Sequence, residues 1–308
     1  MKIATLGTGG IGGFLAVKLM HAGHEVATIA RGDHLRAIRE SGLTLDTPTE
    51  RETLNPWKAT DDPTEVGDVD VIIFGVKGDA LAPAARSCLP MIGPSTVVVP
   101  FLNGVEGSDR LAAILPEQNV ANGVAHVSTT IAEPGVIRQT GEFNRFVFAE
   151  RDNAASDRIE RLRAAINLAG LVAPPVNDIE KEMWAKFVLF SAVSGVTTAA
   201  RCTMGDIVAN DPLARLFRAV INETAALARV RGAALPDTIE AATWDMAQTL
   251  PAAMRASTAI DLENGRPLEI EWISGAAARL SREAGLAAPM NAALYALLLP
   301  YKDGIASR

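Results

Sequence analysis

Apolar and polar positions change rhythm along this chain in a way that predicts its elements. Lys2–Leu6 is a short apolar run ending in glycines, as a buried strand does. Over Gly10–His21, Ile11, Phe14, Leu15 and Leu19 recur at helical spacing, and Gly23 follows as a helix terminator. Residues 25–30 return to a strand pattern. A β-α-β unit within about thirty residues calls for a parallel sheet.

The alternation continues, with a helix predicted at 33–41, a strand at 68–77, a helix at 80–91, a strand at 95–104 and a short helix at 108–115. From 120 to 150 the texture turns to Val, Thr, Ile and Phe around "EPGV" and "QTGEFN", which predicts hairpins closing the sheet edge. A helix at 156–168 leads to "APPVND" at 173–178, a linker by its two prolines. After it the pattern is helical: Ile179–Ala199, 212–231, 236–247, 267–284, and a last short helix around 290–299. The shift divides the chain near residue 176, into an α/β unit at 1–176 and an all-helical unit at 177–308. The expected fold is a doubly wound, mainly parallel sheet followed by helices.

Composition narrows the function. The chain has 308 residues, 48% hydrophobic and 21% charged, with a net charge of −7 and no basic cluster. That argues against nucleic acid as a partner. Cys88 and Cys202 lack the spacing of a disulfide framework or a metal site, so no metal is expected and a reducing compartment suits them. Residues 187–200 are too short and too rich in Ser, Thr and Gly to span a membrane, and they read as a buried helix. The first residues do not resemble a secretory leader, so a cytoplasmic location is expected.

The glycines carry the first chemistry. Gly7-Thr8-Gly9-Gly10-Ile11-Gly12 matches G-x-G-x-x-G between a strand and a helix. The first glycine permits a tight turn, the second lets backbone approach a pyrophosphate, and the third lets helix and strand close up. Free N–H groups at the helix start then favour phosphate. Gly7, Gly9, Gly10, Ile11 and Gly12 are therefore cofactor-binding candidates in a Rossmann-type unit. At the end of the second strand, where NAD sites place a carboxylate, stands Arg31. It is either a solvated loop residue or a guanidinium for a 2′-phosphate, and the second reading makes the cofactor NADP(H). Asp33 lies two residues further, at a helix N-cap position.

Four more residues are candidates with two readings each. Lys77 ends one strand, as a solvated terminus or as a ligand contact at the carboxyl edge of the sheet. Asn103 ends another, as half of an Asn-Gly turn or as a ligand contact. Lys186 sits between Trp184 and Phe187, with Met183 and Phe190 on adjacent turns. It either snorkels to water or faces an interdomain cleft where desolvation lowers its pKa toward that of a general acid. Glu269, expected in a first helical turn after Pro267, either complements the helix dipole or holds an ammonium or a substrate hydroxyl.

These residues together resemble ketopantoate reductases, the NADPH-dependent 2-dehydropantoate 2-reductase family. The resemblance runs nearly end to end: "GTGGIGG", Arg31, Val76-Lys77, Asn103-Gly104, "WAK" at 184–186, and "STAID…GRPLEIEWISG…G…P" from 257 to 289. It implies a catalytic site between the two domains. It makes Lys186 the general acid, gives Glu269 a role in substrate binding and catalysis, and sets Ser257 on the substrate carboxylate. Asn103 falls on the substrate or cofactor side, and Lys77 near the nicotinamide ribose. The family usually carries asparagine where this chain has Phe190 and often where it has Ser194, and often Gln where it has Leu102. Phe190 and Ser194 thus become substrate-binding candidates. The implied activity is reduction of a small-molecule 2-oxo acid, 2-dehydropantoate to pantoate in pantothenate biosynthesis, without a membrane partner; a homodimer is among the states it allows. A more apolar 2-oxo acid is the alternative, and a non-catalytic NADP-binding sensor the remote one.

Overall fold

In the computed structural model, which describes residues 1–304, the chain opens with the predicted unit β1 (Lys2–Leu6), α1 (Gly10–His21) and β2 (Glu25–Ile29). There follow α2 (Gly32–Ser41), β3 (Leu43–Asp46), β4 (Arg51–Leu54), β5 (Lys58–Thr60), β6 (Val69–Phe74), α3 (Leu81–Ser87), β7 (Ile92–Pro100), α4 (Gly107–Ala112), β8 (Ala121–Glu133), β9 (Val136–Glu150) and α5 (Asp157–Leu168). The order β5-β2-β1-β6-β7 makes a five-stranded sheet, parallel throughout. This is the doubly wound arrangement that the alternating strands and helices predict.

The segment 120–150 departs from expectation. Its two long strands form one antiparallel hairpin, and the hairpin belongs to a second, four-stranded sheet of order β4-β3-β9-β8. It meets the edge of the parallel sheet at an isolated bridge, Val98 to Val120. The cause is β3, unforeseen in "LTLD". Leu43, Thr44 and Leu45 are all buried, and β3 pairs in parallel with β9 through Thr44 and Val136. The hairpin thus finds its partner strand there rather than at the parallel sheet's edge.

Helix α1 is apolar around most of its circumference because both sheets cover it, with Lys18 and His21 of its last turn paired to Glu50 and Glu52. Phe14, Leu15 and Leu19 share a core with Ile3 and Ile73 of one sheet and Ile137 of the other. The Phe14 and Phe146 rings stack at 6.0 Å. Gly13 admits the Ile137 side chain, which would lie 2.5 Å from a Cβ there.

The helices that follow are α6 (Ile179–Ala199), α7 (Met204–Ala209), α8 (Asp211–Val230), α9 (Ile239–Thr249), α10 (Ser257–Glu263), α11 (Ser274–Glu283) and α12 (Pro289–Leu298). Val188, Ala192 and Val196 of α6 are buried with Phe217 and Ile221 of α8 and Leu280 of α11. Two compact units result: Met1–Leu102 with Glu106–Ile179, and Asn103–Val105 with the chain from Glu180 onward. Helix α7, which the sequence reading missed, starts on a reciprocal capping box between Thr203 and Asp206. Among the described residues no helix is long and apolar enough to cross a membrane.

The helix expected over 267–284 is a correction. Only its second half is α-helix, from Ser274; before it lie an irregular stretch and a 3₁₀ turn at Ile270–Trp272. Leu268, Ile270 and Trp272 are buried while Glu271 is exposed. That alternation cannot be met on one helical face, where every second residue points the opposite way. Glu269 therefore stands at the N-cap of the 3₁₀ turn and not in the first turn of a helix.

Candidate functional site

In the first unit the site is made of backbone. Gly7 has φ +85, and a Cβ on it would lie 2.7 Å from the Val76 nitrogen. Its N–H and that of Thr8 donate to the Ile29 carbonyl at the end of β2, at 3.2 and 3.1 Å. The Thr8 side chain, 2% exposed, ties the loop to the Thr5 and Ile29 carbonyls at 3.2 Å each. Gly12 is pressed against the loop from inside the helix, since a Cβ there would meet the Gly7 oxygen at 2.3 Å. Gly9 is different: a Cβ on it would find nothing within 4 Å. The loop is thus rigid at Gly7 and Gly12 and open at Gly9, next to the start of α1. A diphosphate laid on bare backbone needs this arrangement, and the residues present fit a dinucleotide.

Gly10 and Ile11 lie in the first turn of α1, Ile11 half-buried. Gly10 is glycine for a reason the motif did not reveal. The Thr129 carbonyl of β8 would be 2.6 Å from a Cβ there. The Thr129 hydroxyl beside it is buried and makes no hydrogen bond among the described residues. Gly75, just past β6, also approaches the loop, with the Gly7 oxygen 3.1 Å from its would-be Cβ. Gly75, Thr129 and His34 are loop neighbours that sequence reasoning missed, and Val76 entered it only as half of the Val76-Lys77 motif; only the glycine of "FGVK" could have hinted at one of them.

Arg31 is exposed, in extended backbone at the N-cap of α2. The nearest carboxylate in sequence, Asp33, is paired with Arg36 at 2.9 Å. The end of β2 therefore presents a solvent-facing guanidinium, a group able to pair with a phosphate. Lys77 is exposed where the chain leaves β6.

In the second unit the site is made of side chains. Lys186 lies on α6, half-buried, and its Nζ donates to Asn103 Oδ1 at 3.4 Å. Asn103 Nδ2 in turn donates to Glu269 Oε2 at 3.3 Å. The ammonium also sits 5.3 Å from the centre of the Phe190 ring, one helical turn along, where the i,i+4 spacing brings the two together. Loss of hydration pulls the Lys186 pKa down to about 8, while the Glu269 carboxylate works in the opposite direction. The Asn103-Gly104 turn is specific: Gly104 has φ +92, and the Trp272 carbonyl would stand 2.6 Å from a Cβ there. This contact sets Asn103 beside the segment that carries Glu269.

The remaining candidates lie on α6 and α10. Ser194, a further turn along α6, is 2% exposed and pairs with the Thr258 hydroxyl at 2.9 Å. With Thr197, which accepts from the Ala256 N–H at 3.2 Å, it fastens the start of α10 to α6. Ser257 is thereby left exposed at the first position of α10. Among the described residues no group of three His, Cys, Asp or Glu could hold a metal. Burial drives the Cys88 thiol up to about 12, which leaves it inert.

An ammonium of lowered pKa held by an amide and a carboxylate can protonate an oxygen that is gaining negative charge. Comparisons with known proteins cover both units of the chain. The family profile Ketopantoate reductase PanE/ApbA matches residues 3–153, and Ketopantoate reductase PanE/ApbA C terminal matches residues 178–302. A 2-dehydropantoate 2-reductase of Mesorhizobium japonicum is 32% identical over 97% of this chain and 97% of its own length. An uncharacterized oxidoreductase of Bacillus subtilis is 26% identical over 98% of this chain and 99% of its own. The solved structure of a PanE/ApbA family ketopantoate reductase from Ralstonia eutropha JMP134 superposes with a TM-score of 0.89 at 32% identity, covering 98% of this chain and 99% of that one. With both profiles matched and full-length relatives found, the chain belongs to the ketopantoate reductase PanE/ApbA family of oxidoreductases.

Proposed function

We propose that this enzyme reduces a 2-oxo acid to its 2-hydroxy acid with NADPH, and that the pair is 2-dehydropantoate and pantoate. The observation that carries the reading is the chain of contacts from Lys186 through Asn103 to Glu269. Family membership supports the reaction type, and the names of the relatives support the substrate. The dinucleotide, when bound, supplies the hydride; the other tasks fall to side chains.

Lys186 gives its proton to the substrate oxygen as that oxygen becomes an alkoxide. A pKa near 8 leaves it charged at neutral pH yet makes it a better acid than an ordinary lysine. Asn103 takes one of its three N–H bonds and leaves the others for substrate oxygens. Glu269 keeps the ammonium charged and accepts from a substrate hydroxyl. Ser257 offers its hydroxyl to the carboxylate. Gly7, Gly9, Gly12 and Arg31 hold the dinucleotide, with the 2′-phosphate on Arg31, and Lys77 approaches its ribose.

Phe190 favours a second reading. A ring beneath the Lys186 ammonium replaces an amide with an apolar surface, and such a surface prefers an apolar substrate side chain over a hydroxylated one. A panel of 2-oxo acids, followed by loss of NADPH absorbance, separates the two. The first reading predicts that 2-dehydropantoate has the highest kcat/KM. Preference for an aliphatic or aromatic 2-oxo acid, reversed in Phe190→Asn, establishes the second. No turnover with any 2-oxo acid contradicts both and leaves a binding protein.

A further inference from the structure

His34 has no part in the reading above, and its contacts are unusual for a residue at the start of a helix. It is half-buried in the first turn of α2, three residues after Arg31. Its Nε2 lies 2.7 Å from the carbonyl oxygen of Thr8, in the middle of the glycine loop. Its Nδ1 receives the Gly135 N–H at 2.9 Å, from the turn of the β8–β9 hairpin. A carbonyl only accepts and an amide N–H only donates. The two bonds therefore fix the ring as the neutral tautomer with its hydrogen on Nε2. Burial, which lowers the pKa of this imidazole, acts in the same direction.

We propose that His34 is a positioning residue for the dinucleotide, clamping the Thr8 carbonyl so that the following amide is presented to the diphosphate. The peptide between Thr8 and Gly9 is trans, so its N–H points opposite to its C=O. Holding the Thr8 oxygen on the imidazole aims the Gly9 N–H away from α2. Gly9 is the loop position whose Cα faces open space. Thr8 cannot supply this clamp itself, because its hydroxyl is already engaged with the Thr5 and Ile29 carbonyls. The geometry of Gly32 allows it: φ +57 turns the chain back after Arg31, so that α2 brings His34 over the loop. One short segment thus carries both a charge for the cofactor and a clamp for the loop.

The inference rests on the reading that a dinucleotide lies on this loop, and the test separates the two. Kd for NADPH and for 2′-AMP is measured by fluorescence titration on the full chain, in the parent, His34→Ala and His34→Gln, with Tm recorded for each. 2′-AMP carries the adenosine and the 2′-phosphate but no diphosphate. His34→Ala is expected to weaken NADPH about tenfold and to leave 2′-AMP within about twofold. His34→Gln keeps an N–H donor and is expected to recover most of the loss. NADPH binding unchanged in His34→Ala, equal loss of both ligands, or no recovery in His34→Gln would overturn the clamp. Failure of the parent to bind NADPH would instead remove the dinucleotide reading. A direct spectroscopic check is the ¹⁵N spectrum of histidine-labelled parent protein, in which His34 is expected as the Nε2–H tautomer; an Nδ1–H tautomer contradicts the proposal.

Discussion

The glycine loop of the first unit and the lysine cluster of the second are built from opposite materials. The loop works by what it lacks: Gly7 and Gly12 are so close to neighbouring backbone that a methyl group would collide, and Gly9 leaves its backbone bare. The cluster works by what it adds, an ammonium, an amide, a carboxylate and a ring within hydrogen-bond or van der Waals reach. A site of the first kind fails when atoms are inserted. A site of the second kind fails when atoms are removed, and it fails in chemistry before it fails in binding.

Three substitutions sharpen that contrast. The largest effect belongs to Lys186→Met, which keeps the aliphatic stem and removes the acid. kcat for 2-oxo acid reduction at saturating NADPH is expected to fall about 10² to 10⁴-fold. Kd for NADPH is expected to stay within about twofold of the parent. Next is Gly12→Ala. Its Cβ would stand 2.3 Å from the Gly7 oxygen, and overpacking of this kind costs about 1–3 kcal/mol. A lower Tm with Kd for NADPH raised by more than about tenfold is expected, measured by calorimetry and titration. If Gly12→Ala binds NADPH like the parent, the loop does not hold the diphosphate. Smallest is Arg31→Ala. KM for NADPH is expected to rise about tenfold while KM for NADH stays unchanged, because NADH has no 2′-phosphate to lose. Equal changes for both cofactors would return Arg31 to the solvated loop.

The same contrast explains what could be read from the sequence. Backbone requirements leave a local record: a loop that must adopt φ +85 at Gly7 and admit Gly7's own oxygen at Gly12 has to be written in glycine. The parallel sheet was legible for a similar reason, since strands buried on both faces read as continuous apolar runs. Long-range pairing leaves no such record. His34 reads as one polar residue in an amphipathic helix, and its partner Gly135 lies 101 residues away. The second sheet was misplaced because β3 is four residues long and half polar. Glu269 was singled out by motif but set on the wrong element: apolar residues after Pro267 suggest a helix, and only the structure shows them buried alternately. Gly10 stands at an unconstrained position of the motif, and only the structure shows that its missing Cβ makes room for Thr129.

The central claim is that the Lys186 ammonium donates a proton and that Glu269 supports its charge. The most direct test is the pH dependence of kcat/KM for 2-oxo acid reduction, from pH 6 to 10, in the parent and in Glu269→Gln. The acid must be protonated to act, so the parent rate is expected to be level at low pH and to fall as pH rises through about 8, the value to which burial brings Lys186. Removing the Glu269 charge takes away the influence that raises this pKa, so the fall moves to lower pH in the variant. A rate that stays level through pH 10 in the parent, or a fall that does not move in Glu269→Gln, would contradict the account.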